Sequence, residues 1–211
     1  MKLGEIKLES LKLMFANVDI DLYLDRIEYY KQDETYRDYL VNMPGAINRC
    51  FASIEEKRVL PCKRHEIVGG PMRSLVLRVD MDAPVDDFLD LHRVVYENDR
   101  GDYEADISFR REGNTIVLPA IGFGERYVVL YHPTIPRITA ATAEDTELPI
   151  PDGIAAHIPY FIKGDLFRAD EPNEASEARN WYEAAMEAIV SKTEGRSTSV
   201  KNIYSQTEGE A

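Results

Sequence analysis

The sequence predicts an α+β chain: a helical bundle built from the N- and C-terminal helices, with an antiparallel β-sheet or sandwich module inserted between them. Three observations carry this. Apolar residues recur every three or four positions from 33 to 58, and again from 154 to 189. Between them, from 74 to 133, lie short segments rich in valine, isoleucine and tyrosine. Those segments are punctuated by "GGP", "NDRGD", "EGN" and "GFGE", compositions that favour turns. The expected organisation is helices over 1–60, a β-insert over 61–139, a helical hairpin over 140–192 and a flexible tail or docking arm over 193–211.

The first element is "LGEIKLESLKLMFAN", where Ile6, Leu8, Leu11, Met14 and Phe15 recur at near-helical spacing. "VDIDLYLDRIEYYKQ" is ambiguous, alternating in places like a strand. From Asp33, a good N-cap, one stripe runs through Tyr36, Leu40, Met43, Ile47, Cys50, Phe51 and Ile54. Pro44-Gly45 predicts a kink or break in it, because proline removes a backbone donor and clashes one turn back. About five strands are then expected, at 74–80, 91–97, 103–111, 115–120 and 125–133, with "GFGERY" as a hairpin turn. Helical spacing returns with Ile154, Ile158, Phe161, Ile162 and Leu166. A last helix carries Ala178, Tyr182, Ala185, Met186 and Ile189 on one stripe, with acidic first turns and Lys192 near its end, which suits the helix dipole.

The net charge of −13 argues against a phosphate-gripping surface, and no Lys/Arg cluster interrupts it. Residues 140–211 hold fourteen acidic and six basic side chains, so the excess is steepest there. Apolar runs such as "YVVLY" are too short to span a membrane, and the first fifteen residues carry too many charges for a signal-peptide core. The two cysteines, Cys50 and Cys62, are expected to be reduced, with Cys50 buried on its helix.

Landmarks of enzymatic chemistry are missing. There is no HExxH and no GxSxG, and His65, His92, His132 and His157 lie far apart in sequence, so neither a zinc site nor any other metal or cofactor site is expected. Five aspartates between Asp80 and Asp90 could offer oxygens to a hard cation, but alanine and proline stand where an EF-hand needs a ligand and its turn glycine. That stretch is expected to be a loop leading through an Asp-capped turn toward Leu91. In "HIPYFIKGDLFRADEPNEASEARNWYEAAM", Trp181 and Tyr182 are adjacent and cannot share one helix face. One should pack inward and the other should meet a neighbouring element or subunit. Arg168 and Arg179 are expected to pair with the acidic turn between the helices. In the tail, "VKNIYSQ" is a β-prone segment on a polar spacer, either a disordered end or an arm that docks on a partner through Val200, Ile203 and Tyr204.

The segments "IKLESLKLMFAN", "YRDYLVNMPGAINRCFASIEEKRVLP", "NTIVLPAIGFGERYVVLYHPTIPRIT" and "ELPIPDGIAAHIPYFIKGDLFRADEPNEASEARNWYEAAM" follow one another in an order that resembles the head–tail connector (adaptor) proteins of tailed bacteriophages. The last is the most specific, similar to a C-terminal hairpin of the type "LP…IPYYI…L…DE…A…YE". The resemblance implies a structural virion protein rather than an enzyme. It would form a dodecameric ring beneath the portal protein, assembled in the host cytoplasm, and carry the DNA channel on to a tail or stopper protein. Trp181, Tyr182, Arg168 and Arg179 become candidates for the subunit interface, and an acidic lumen would let DNA slide without sticking. Two other readings stay open: a small hydrolase using scattered carboxylates with His132 or His157, and a monomeric module whose β-insert presents a ligand surface.

Overall fold

The computed structural model describes residues 1–16, 20–68, 76–81, 85–97, 103–119 and 126–194. Helix α1 (Leu3–Met14) turns Leu3, Ile6, Leu8, Leu11 and Met14 inward. The ambiguous stretch after it resolves into a single 3-10 turn (Leu24–Arg26) and a short helix, α2 (Ile27–Gln32). Helix α3 (Glu34–Glu56) starts where Asp33 accepts the N–H of Thr35 at 2.8 Å, capping an otherwise orphaned donor. It does not break at Pro44. Met43, Ala46 and Ile47 beside the proline are fully buried, so packing on both sides of the missing hydrogen bond holds the helix together.

Beyond the strands come α4 (Asp152–Ala155), α5 (Ile158–Leu166) and α6 (Pro172–Glu194). Pro159 sits in the first turn of α5, where its lost N–H costs least. Residues of α1, α3, α5 and α6 share one apolar cluster, in which Tyr182 and Phe51 are among the largest side chains fully buried. Removing an aromatic of this size from water contributes about 1.5–3 kcal/mol. At the cluster's edge Lys7, 4% exposed, donates to Glu144 at 2.9 Å, and Lys31 reaches the same carboxylate at 3.2 Å.

Among the described residues seven strands form two small antiparallel sheets. The first, in the order β1 (Lys63–Val68), β7 (Arg126–Pro133), β3 (Phe88–Glu97), β4 (Tyr103–Asp106), has β7 and β3 at its centre. The second runs β2 (Val76–Asp80), β6 (Thr115–Pro119), β5 (Arg110–Glu112). The chain is therefore mixed α+β, with two more strands than the sequence suggested. The expected 103–111 strand divides into β4 and β5, which belong to different sheets, and β1 had not been anticipated. The strands on either side of "GFGERY", β6 and β7, lie in different sheets; residues 120–125, where the hairpin turn was expected, fall outside the described residues. Gly113, with φ +64°, makes the turn between β5 and β6, a backbone conformation that glycine adopts without strain. Ile67, Val94, Tyr127, Val129 and Tyr131 of the first sheet join Met81, Ile116 and Leu118 in a second apolar cluster.

The sheet is tied to the helices by the segment that follows β7. Asn48 of α3 clamps Ile138 from both sides, donating to its carbonyl at 2.8 Å and accepting its N–H at 2.9 Å. Glu55, the penultimate residue of α3, accepts the N–H of Ile135 and pairs with Arg137.

Candidate functional site

The adjacent aromatics of α6 divide as their positions require. Tyr182 is fully buried, stands edge-on to Phe161 at 5.0 Å, and donates its hydroxyl to Ser53 at 3.3 Å. Burial also pushes its phenol pKa well above the ordinary value. A residue so enclosed offers nothing to a neighbouring subunit, so Tyr182 is a core residue and not a contact. Trp181, one position earlier, is 63% exposed. It borders a shallow hollow lined by His157, Tyr160, Ala184 and Ala185.

Arg179 also departs from expectation. Its guanidinium lies 4.1 Å over the Phe161 ring and pairs with Glu183 one turn on at 3.2 Å, rather than with the acidic turn between the helices. Stacking on an aromatic face already held in the core offers a planar cation more than an exposed ion pair would. In that turn Asp170 instead accepts the hydroxyl of Tyr39 at 2.9 Å. Arg168 is exposed and faces an open groove between α3, α5 and α6 that Arg49, Asp165 and Arg179 also line. Val200, Ile203 and Tyr204 lie outside the described residues.

The aspartates around β3 do not converge on a cation among the described residues. Asp87 takes Lys63 at 2.5 Å and the Tyr131 hydroxyl at 2.9 Å. Asp90 lies between Arg58 and Arg111, 2.5 Å from each. Their carboxylates are occupied by cations of the protein itself.

Metal-binding side chains meet elsewhere. Cys62, His92 and His132 each bring a donor atom within 4.8 Å of the other two. The Cys62 sulfur is 3.7 Å from His132 Nδ1, and the two imidazole rings cross at 76° with centroids 5.2 Å apart. Sheet register explains the meeting. Lys63 pairs with Tyr131, so the antiparallel ladder brings Cys62, one residue earlier, level with His132. On the other side of β7, Asp90 is the partner of His132. Cys62, His132 and Asp90 thus form one cross-strand row. His92 enters it from a break in register between Leu91 and Arg93, where β3 carries one residue more than β7. Tyr127, Val129 and Tyr131 face the cluster shared with the second sheet, so alternation turns His132 to the opposite face.

The approach of Cys62 to the sheet begins at the end of α3. Arg58 takes a left-handed φ of 51°, uncommon for a residue with a side chain, and ends the helix there. Burial, together with the neighbouring His92 and Arg58, lowers the His132 pKa below the ordinary histidine value. No local motif announces this group, because its members stand far apart in the chain. A correct pairing of β1, β7 and β3 would have been the one signal able to find it.

No protein-family model matches the chain, and no curated protein matches it significantly. No described helix is long and apolar enough to cross a membrane.

Proposed function

We propose that the chain is a structural subunit that assembles with copies of itself into a ring, and that the ring is a head–tail adaptor of a tailed bacteriophage. The observation that carries the assembly reading is Trp181. It is a tryptophan 63% exposed on a long helix, and its neighbour Tyr182 anchors that helix in the core. Tryptophan is the side chain most enriched at interface hot spots, and an anchored backbone lowers the entropic cost of using it. In a closed ring the contact is heterologous, so the face around Trp181 meets a different face of the next copy. The phage assignment rests on the order of segments described above.

In this reading the helices of the two ends form a bundle and the two sheets form the sandwich-like module inserted between them. The module and the surplus carboxylates are shared between the ring's lumen and its contacts with portal and tail or stopper proteins. DNA passes without specific binding, and residues 200–206 serve as a docking arm. The protein's place is the virion neck, reached by assembly in the host cytoplasm.

The test is the native mass of the purified chain, alone and mixed with a candidate portal protein, for wild type and Trp181→Ala. A ring in either sample that Trp181→Ala dissociates supports the reading. A wild-type chain that stays monomeric beside the portal overturns it. The small-hydrolase reading keeps one favourable observation, the 3.7 Å approach of Cys62 to His132. Hydrolysis of a thioester or ester panel that is lost in Cys62→Ala would favour it.

A further inference from the structure

We propose that Cys62, His92 and His132 form a binding site for one divalent transition-metal ion of the zinc class, with three protein ligands and a fourth position open. This goes beyond the ring assembly and does not depend on it.

The donor set is the first argument. One thiolate and two imidazoles are borderline-soft ligands that suit zinc, and three-ligand sites with a free position are its usual open arrangement. Geometry is the second. Bond lengths of about 2.3 Å to sulfur and 2.0–2.1 Å to nitrogen at tetrahedral angles place the two donors about 3.6 Å apart. The Cys62 sulfur and His132 Nδ1 are 3.7 Å apart, with the His92 donor within 4.8 Å of both. The exposed His92 side chain would move to close the remaining distance on binding.

The backbone supplies the third argument. His92 occupies the surplus position of a bulge in β3, and bulges re-aim single side chains, often beside functional sites. Here the bulge sends a second imidazole toward a row that already holds Cys62 and His132. The surrounding cations are partly offset by carboxylates, Asp90 cancelling one of the two charges of Arg58 and Arg111. Arg58, the positive group that acts on His132, is paired with Asp90, as is Arg111, and Lys63 beside Cys62 is paired with Asp87. Cys62 and His92 are exposed, so an ion has an entry path, while His132 is only 9% exposed and fixes the floor of the site.

A metal here would clip the segment leaving α3 onto the two central strands of the first sheet. Its ligands span 70 residues of chain between Cys62 and His132. The open position leaves room for water or for a side chain of a partner.

The full chain, stripped with a chelator, is titrated with Zn2+ by calorimetry and with Co2+ by absorption. The expected result is one ion per chain, a rise in Tm on binding, and thiolate-to-cobalt charge-transfer absorption in the near ultraviolet. Cys62→Ser should abolish that absorption, and Cys62→Ser and His92→Ala should each weaken binding by about 100-fold or more, as loss of a direct ligand must exceed the 10–100-fold of an outer-shell change. Both side chains are exposed, so circular dichroism should show these variants folded; His65→Ala and His157→Ala should bind like wild type. Zinc binding only at millimolar concentration overturns the proposal. So does unchanged affinity in His92→Ala, or cobalt absorption that survives Cys62→Ser.

Discussion

Glu55 holds Ile135 from inside the protein: its carboxylate, 7% exposed, accepts the Ile135 backbone N–H at 2.7 Å while its other oxygen pairs with Arg137. One side chain of α3 thereby satisfies a main-chain donor just beyond β7. Glu55→Ala leaves that buried donor without a partner and should cost about 2–3 kcal/mol. Glu55→Gln keeps an acceptor for Ile135 and loses only the charge, so it should cost about 1 kcal/mol. Urea unfolding followed by circular dichroism compares the two, and equal losses would show that the hydrogen bond to Ile135 is unimportant.

Gly164 is required by the closeness of α5 to α6. A Cβ there would stand 3.0 Å from the Ala175 carbonyl oxygen and 3.2 Å from the backbone nitrogen and Cβ of Arg179. These are atoms fixed to α6, and Ala175 is buried, so they cannot swing aside. Alanine would gain up to about 1 kcal/mol of helix propensity, but overpacking costs about 1–3 kcal/mol. The net expectation for Gly164→Ala is a lower Tm. A higher Tm would mean that the helix pair has slack.

Glu183 supplies a pH dependence with a definite sign. Partial burial works to raise its pKa, but the hydrogen bond and charge of Lys57, with Arg179 added, outweigh it and hold the carboxyl below its ordinary value. A carboxylate whose pKa is depressed by folding binds fewer protons in the native state than in the unfolded one. Its stabilisation is fully present above the unfolded pKa near 4.5 and is lost as the pH falls through the lower folded value. Replacing Glu183 by Gln should therefore flatten the stability–pH curve on the acid side of that value and leave its slope near neutrality unchanged. Parallel acid limbs in the two proteins would remove Glu183 from the account.

The two thiols should be distinguishable by reagent. Burial pushes Cys50 up to about 12, and its side chain is fully enclosed among α3, α5 and α6. Desolvation raises Cys62 as well, but its side chain is exposed. In the presence of a chelator, a disulfide reagent should titrate one thiol in the native protein and the second only after unfolding. Two fast thiols, or none, would contradict this arrangement.

The helices could be read from sequence because each buries one side, and burial on one side of a helix writes a three-to-four-residue period. Tyr36, Leu40, Ile47 and Cys50 are an example, and all are buried. At Pro44 tertiary packing carries the helix through without a break. Strand β1 escaped notice because "KRHEIV" buries only Ile67 and draws its order from pairing with β7 along a sheet edge. The division of the aromatic pair followed from adjacency, but nothing in the sequence said which of Trp181 and Tyr182 would turn inward. Cys62, His92 and His132 were invisible for a deeper reason: sheet register and a bulge bring them together, and composition records neither.

The way α1 is held bears on the order in which the molecule is made. Its far end waits for Lys163, whose ammonium donates to the Leu13 carbonyl at 2.9 Å across 150 residues of chain. The first sheet, by contrast, is complete once Pro133 has been synthesised. During translation the sheet can therefore close while α1 still exposes an apolar stripe, and the helical core forms only when α5 and α6 emerge. Spanning so long a separation adds little to the thermodynamic cost, since each doubling of a loop adds only about 0.6 kcal/mol. It is paid in time instead: an uncovered apolar stripe is prone to aggregation until α5 and α6 arrive, and truncation before α6 should leave the chain insoluble.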